Sequence, residues 1–154
     1  MTLEKILRQQ LSSPETGGFH ITCGDWNVNL VSEQGDSLSC ALKELTLDRN
    51  EPIEEPLNMW AERVAEQATG LLEPLRLIEI DAPLGKAILR SFTPALRAGK
   101  ASYYELLLER TGRTSARLKR YVADRRSGAP REAVPFVLTH DAIVKLATDV
   151  IGAN

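Results

Sequence analysis

The sequence predicts a single α+β domain over residues 1–154, with an N-terminal helix, a three-strand antiparallel meander, a central helix, further antiparallel strands with a long hairpin, and a C-terminal helix. Three observations carry this. Apolar and polar residues alternate on either side of short turns at Gly24-Asp25 and Gly112, as half-buried antiparallel strands require. Apolar residues recur at helical spacing in three other segments. The chain, 43% apolar and 26% charged over 154 residues, has the composition of a globular protein and the length for one core.

Thr2 caps a first helix in which Leu3, Ile6, Leu7 and Leu11 share a face, and Pro14, Gly17 and Gly18 in "SSPETGG" end it. In "FHITCGDWNVNL" a fold on Gly24-Asp25 pairs Cys23 with Trp26, Ile21 with Val28 and Phe19 with Leu30 on one face, and sets His20 against Asn29 and Thr22 against Asn27 on the other. A three-residue loop at Gln34 to Asp36 would bring Leu30 to Cys40 and Val28 to Leu42. The phase change from Lys43 to Leu47 marks a bulge or the strand's end.

"DRNEPIEEP" (Asp48 to Pro56) reads as a loop leading into the central helix, where Trp60, Ala61, Val64, Ala68, Leu71 and Leu72 keep helical spacing. "LRLIEID" and "KAILRSF" read as strands about a Pro83-Leu84-Gly85 turn, followed by a loop with Pro94 and Gly99. A loop centred on Gly112 then pairs Leu108 with Ala116, Leu106 with Leu118 and Tyr104 with Arg120. The opposite face pairs Glu105 with Lys119, Leu107 with Arg117 and Tyr103 with Tyr121. After the basic loop "DRRSGAPRE", "AVPFVL" is a short strand whose Pro135 points to a sheet edge. Thr139 caps a last helix with Ile143, Leu146, Ala147 and Val150 on one face and Gly152 near its end.

The opening "MTLEKILRQQ" lacks the apolar run of a signal peptide, and no stretch reaches about 18 apolar residues. The expectation is a cytoplasmic protein that does not enter a membrane. Net charge is −2, unevenly spread: residues 1–89 carry 7 Lys/Arg against 15 Asp/Glu, and residues 90–131 carry 11 against 3. Either the two halves face each other, within a monomer or across a symmetric dimer, or the basic half meets an anionic partner.

Candidate chemistry is sparse. Alternation places His20 and Cys23 on opposite faces of one strand, so they cannot act as base and nucleophile, and Cys23 reads as a small inward hydrophobe. Cys23 and Cys40 fall too far apart for a disulfide. "GDSL" at 35–38 resembles the nucleophile block of the esterases and lipases named for those letters, but it lies in a hairpin loop, and neither His20 nor His140 follows an Asp at the family's spacing. His140-Asp141 resembles the dipeptide of a metal-dependent phosphohydrolase superfamily, yet the chain has only one other His, in a strand. At a helix start, Asp141 suits the positive end of the dipole and His140 reads as exposed. No paired-Cys zinc spacing, phosphate-binding glycine loop or dinucleotide fingerprint is present. The sequence therefore assigns no catalytic residue, no metal and no cofactor.

The order helix, three-strand meander, helix, antiparallel strands, helix, together with the small size and acidic balance, resembles the type III secretion chaperones and their structural relatives. The long hairpin from "YYELLLER" to "LKRYVA" is an addition to that pattern. The resemblance implies a non-enzymatic homodimer that receives an extended protein segment along apolar patches or a sheet edge. The leading reading is a protein-binding module, chaperone-like and dimeric. Two alternatives stay open: a nucleic-acid-binding module using the basic hairpin at 101–131, and an enzyme with an unrecognised site. For an interface the sequence points to Tyr103, Leu107, Arg117, Lys119 and Tyr121 on the outer face of the long hairpin, with Arg125 and Arg126 beside it.

Overall fold

The computed structural model describes residues 2–12, 19–35, 38–91 and 95–152. Its elements are α1 (Leu3–Leu11), β1 (Phe19–Cys23), β2 (Trp26–Gly35), β3 (Ser39–Arg49), α2 (Leu57–Gln67), β4 (Leu75–Asp81), β5 (Lys86–Ser91), β6 (Ala95–Arg97), β7 (Lys100–Arg110), β8 (Thr114–Asp124), β9 (Glu132–Val134), β10 (Phe136–Thr139) and α3 (His140–Ile151). The strands form one antiparallel sheet in the order β1-β2-β3-β8-β7-β5-β4, with β6, β9 and β10 attached to β7, β8 and β3. This is the α+β architecture expected from the sequence.

Alternation along the strands makes the sheet one-sided. Val28, Leu30, Leu45, Leu47, Leu118, Leu106, Leu108 and Leu89 are buried on one face, in a single core cluster with Leu7, Trp60, Val64, Ile143 and Leu146 from the three helices. Both hairpins have the expected registers: Phe19 lies opposite Leu30, Ile21 opposite Val28 and Cys23 opposite Trp26, while Leu106 lies opposite Leu118 and Tyr103 opposite Tyr121. In each case a short turn and strict period-2 patterning leave only one alignment that keeps the apolar set together.

Between β2 and β3 the register differs from expectation. Leu30 lies opposite Leu45 and Val28 opposite Leu47, because β2 runs on through Gly35, which pairs with Cys40. Serine and glycine at the end of β2 look like loop residues but belong to the strand. The anticipated bulge is real: Ser32 faces Leu42, leaving Lys43 and residue 33 as extra residues on the two strands, and β3 changes phase there without ending. Cys23 and Cys40 are not joined by a disulfide. Their partners Trp26 and Gly35 stand nine residues apart on β2, roughly 30 Å at strand rise.

Three further expectations are corrected. The central helix stops at Gln67, so Ala68 and Leu71 are buried by the turn that follows, and Leu72 is fully exposed instead of joining the apolar face. "AVPFVL" is not a plain edge strand. Beyond the Leu45–Leu118 pair, β3 and β8 part, and residues 132–139 span the fork, with β9 pairing to β8 and β10 to β3. Pro135 sits at the change of partner, where its missing N–H leaves no ladder bond unmade. His140 is half-buried, its Nε2 enclosed without a hydrogen-bond partner. The end of the first helix expected at residues 13–18, and Ser37 of "GDSL", lie outside the described residues.

The helices are fixed to one another at their ends. Thr2 and Thr139 cap α1 and α3 by accepting from the Lys5 and Ala142 amides. Arg63 of α2 donates to the Asp149 and Val150 carbonyls at the end of α3, held by Glu55 at 2.8 Å. Lys145 of α3 donates to the Gln67 carbonyl that ends α2. Each helix thus supplies a cation to the negative end of the other. Trp60, fully buried, donates its indole N–H to the Val150 carbonyl at 3.0 Å. The proline-bearing loop before α2 is tied to the long hairpin by Thr114, whose hydroxyl accepts from the Ile53 amide and donates to the Glu51 carbonyl.

The β4–β5 turn closes against the end of β7. Gly85 has φ +68°, and a Cβ there would stand 2.4 Å from the Arg110 carbonyl oxygen, whereas Gly24, at φ +60°, has nothing within 4 Å of a built Cβ. Gly85→Ala is expected to cost about 2–4 kcal/mol through backbone strain plus clash, and Gly24→Ala about 1–2 kcal/mol through strain alone. Urea unfolding of the two variants side by side checks the order.

Candidate protein-binding surface

With the helices on one face, the other face of the sheet is open. There β1, β2 and β3 carry a polar network: His20 Nδ1 bonds Asn29, Thr22 bonds Asn27, and both asparagines donate to Asp48. His20 and Cys23 therefore point to opposite faces, as the alternation requires.

On β7 and β8 the five outer residues expected from the sequence come together. Tyr103 faces Tyr121 with ring centroids 6.1 Å apart, and Leu107 faces Arg117, with Lys119 opposite Glu105 between them. Arg125 and Arg126 lie exposed in the turn after β8.

The charge of this face is mostly spent within the molecule. Arg117 pairs with Glu44 at 2.9 Å and Arg113 with Asp48 at 3.8 Å, and on the helix side of the sheet, beside Tyr104, Arg120 pairs with Glu73 at 2.9 Å. These three pairs join the basic half of the chain to the acidic half. Glu105, only 8% exposed, is clamped between Arg90 and Arg131, each at 2.8 Å. Arg131 also lies 3.8 Å over the Tyr121 ring, donates to the Tyr103 hydroxyl, and covers the aromatic pair. Burial on its own would raise the Glu105 carboxyl, but hydrogen bonds from Arg131 and Arg90 outweigh it and hold the group below the usual carboxylate value.

The sheet ends at β4, whose outer edge has no partner strand among the described residues. Ile78 and Ile80 are exposed along it, and Leu84 is exposed in the turn beyond. Ile78 is the extra residue of a bulge against β5. Sequence reasoning did not single out this edge. Its signal is legible in "LRLIEID", where Leu75 and Leu77 follow one phase of alternation and Ile78 and Ile80 the other, a phase break that the bulge at Ile78 absorbs, so that Ile80, opposite Ala87, returns to the side of Leu77. At the opposite end of the sheet, β1 is short and α1 packs beside it.

Among the described residues, no three of His, Cys, Asp and Glu cluster as a metal would require, and no helix is long and apolar enough to cross a membrane. No family model, no curated protein and no solved structure matches the chain.

Because the Glu105 carboxyl is held down in the folded state, its contribution is full above the unfolded value of about 4.3 and is lost as pH falls through the folded value. Glu105→Gln is therefore expected to lower stability by about 1–2 kcal/mol at pH 7, discounted for the half-exposed arginines. The gap to the parent protein should narrow as denaturation is repeated at progressively lower pH, starting below about 4.

Proposed function

We propose that this chain is a cytoplasmic protein-binding module that accepts an extended polypeptide segment along β4, with a second copy of itself as the simplest occupant. The observation that carries the reading is the unpartnered β4 edge with its exposed Ile78 and Ile80. Such an edge offers backbone donors and acceptors for strand addition and apolar side chains beside them.

The residue pattern favours self-pairing. An antiparallel pair of "LRLIEID" strands related by a two-fold axis sets Arg76 against Glu79 or Asp81 of the other copy, twice over, with leucines and isoleucines between. A parallel pair would place like charges together.

The nucleic-acid alternative rests on the remaining cations Lys119, Arg125 and Arg126. It is the weaker reading, because Arg131 already occupies the Tyr121 ring face on which a base would stack.

Light scattering coupled to size-exclusion chromatography, at low and high salt, tests the proposal. The parent protein is expected at twice the 17.0 kDa chain mass, and Ile80→Lys at the single-chain mass with an unchanged circular dichroism spectrum. A monomeric parent excludes self-pairing. Failure of a fluorescently labelled β-forming peptide to bind that monomer would then exclude the edge altogether. Nucleic acid co-purifying at low salt and stripped by high salt would instead select the basic turn.

A further inference from the structure

We infer that the end of the sheet beneath Trp26 and Arg49 is a binding site for a carboxylate carrying a short apolar group. The inference is independent of the β4 edge.

Arg49 is the last residue of β3 and lies opposite both Trp26 and Thr114. It follows Leu45 and Leu47 in the core-facing phase of the strand, so its side chain points to the helix side and is only 20% exposed. A guanidinium in that setting has five N–H donors to satisfy. Among the described residues its one ion pair is with Glu51, 3.7 Å away and 79% exposed, beyond hydrogen-bonding distance. Its Nε is buried and has no hydrogen-bond partner among the described residues.

Arg63 is as enclosed as Arg49, but it is fully engaged by Glu55 and the end of α3. Arg120 also keeps a buried Nη1 without a partner, but it is bound to Glu73 at 2.9 Å and lies over the Tyr104 ring, whereas Arg49 has no carboxylate within hydrogen-bonding distance among the described residues.

The space beside it fits a ligand. A cleft of about 500 Å³ opens between the β1–β2 turn, the start of α1 and the end of α3, with Arg49, Trp26, Leu3, Cys23 and Ile151 among its walls. A second cleft on the α2 side and a third on the open face also have Arg49 as a wall. Arg49 thus borders recesses on both sides of the sheet end. The first of these combines an apolar floor with one cation, the pattern of a small-ligand site. The start of α1 adds the positive end of a helix dipole.

A carboxylate fits this donor set better than a phosphate. With Nε closed to solvent, one planar anion would take the two Nη groups together in the fork geometry. Asp25 and Glu4 on the rim would oppose the second charge of a phosphate monoester. The apolar part of the ligand would lie on Trp26 and Leu3. Such a carboxylate is found on a free short-chain acid and at the C-terminus of a peptide.

Titration of the ¹⁵N-labelled full chain with sodium hexanoate, at constant ionic strength, tests the site without any substitution. The Arg49 Nε–H and Trp26 indole N–H resonances are expected to shift saturably, and hexanol at the same concentrations should leave the Arg49 signal in place. Arg49→Gln should weaken hexanoate binding about tenfold or more. A tetrapeptide ending in leucine, offered as the free acid and as the amide, separates the two sources. Tighter binding of the free-acid peptide than of hexanoate identifies a polypeptide C-terminus, and the reverse identifies a small free acid. If the Arg49 resonance responds to neither carboxylate, or to hexanol as strongly as to hexanoate, the inference is overturned.

Discussion

The burial of one continuous apolar surface, shared by β2, β3, β8, β7 and β5, is the constraint on which the other features depend. Each strand has a side chain pointing to the core at every second residue, so a sheet of this width presents far more apolar surface than its own strands can cover. Three helices cover it, and all three lie on the same side. Trp60 and the two exchanged caps, Arg63 on α3 and Lys145 on α2, then hold the helices at a fixed spacing over that surface. The open outer face is the consequence of covering one side only.

The fork between β3 and β8 shows how the sheet keeps its backbone satisfied while curving. Two strands that separate would leave unpaired N–H and C=O groups facing a gap. Residues 132–139 fill it by bonding to one strand and then to the other, with proline at the switch. A residue that would break an interior strand serves here as the junction.

Electrostatics follow the same division. The acidic first part of the chain and the basic stretch from Arg90 to Arg131 meet across β3, β8 and the turn after α2, through Glu44, Asp48 and Glu73. Within the basic stretch, Glu105 absorbs two arginines. The dipolar pattern of the sequence is thus largely cancelled inside one chain, and the positive charge left outward is smaller than the count of arginines suggests. That is why the outer face of the long hairpin reads as a braced surface of cross-strand pairs.

By itself the sequence determined the types of the long elements, though not β6, whose residues it read as loop, together with the two tight hairpins and their registers, both threonine caps and the grouping of Tyr103, Leu107, Arg117, Lys119 and Tyr121 on one face. These depend on local periodicity and on turns of two or three residues, so neighbours in sequence settle them. Tertiary structure decided the rest. The β2–β3 register turned on whether Gly35 was strand or loop, which pairing with Cys40 settles and local pattern does not. The place of residues 132–139 depended on a gap between strands far away in sequence. The apolar β4 edge and the half-enclosed Arg49 were written as ordinary residues in alternating strands, Ile80 beside Glu79 and Arg49 after Leu47. Only the order of strands makes the first an edge, and only the packing of α1 and α3 around Trp26 encloses the second, because exposure belongs to the assembled fold and not to any segment of the chain.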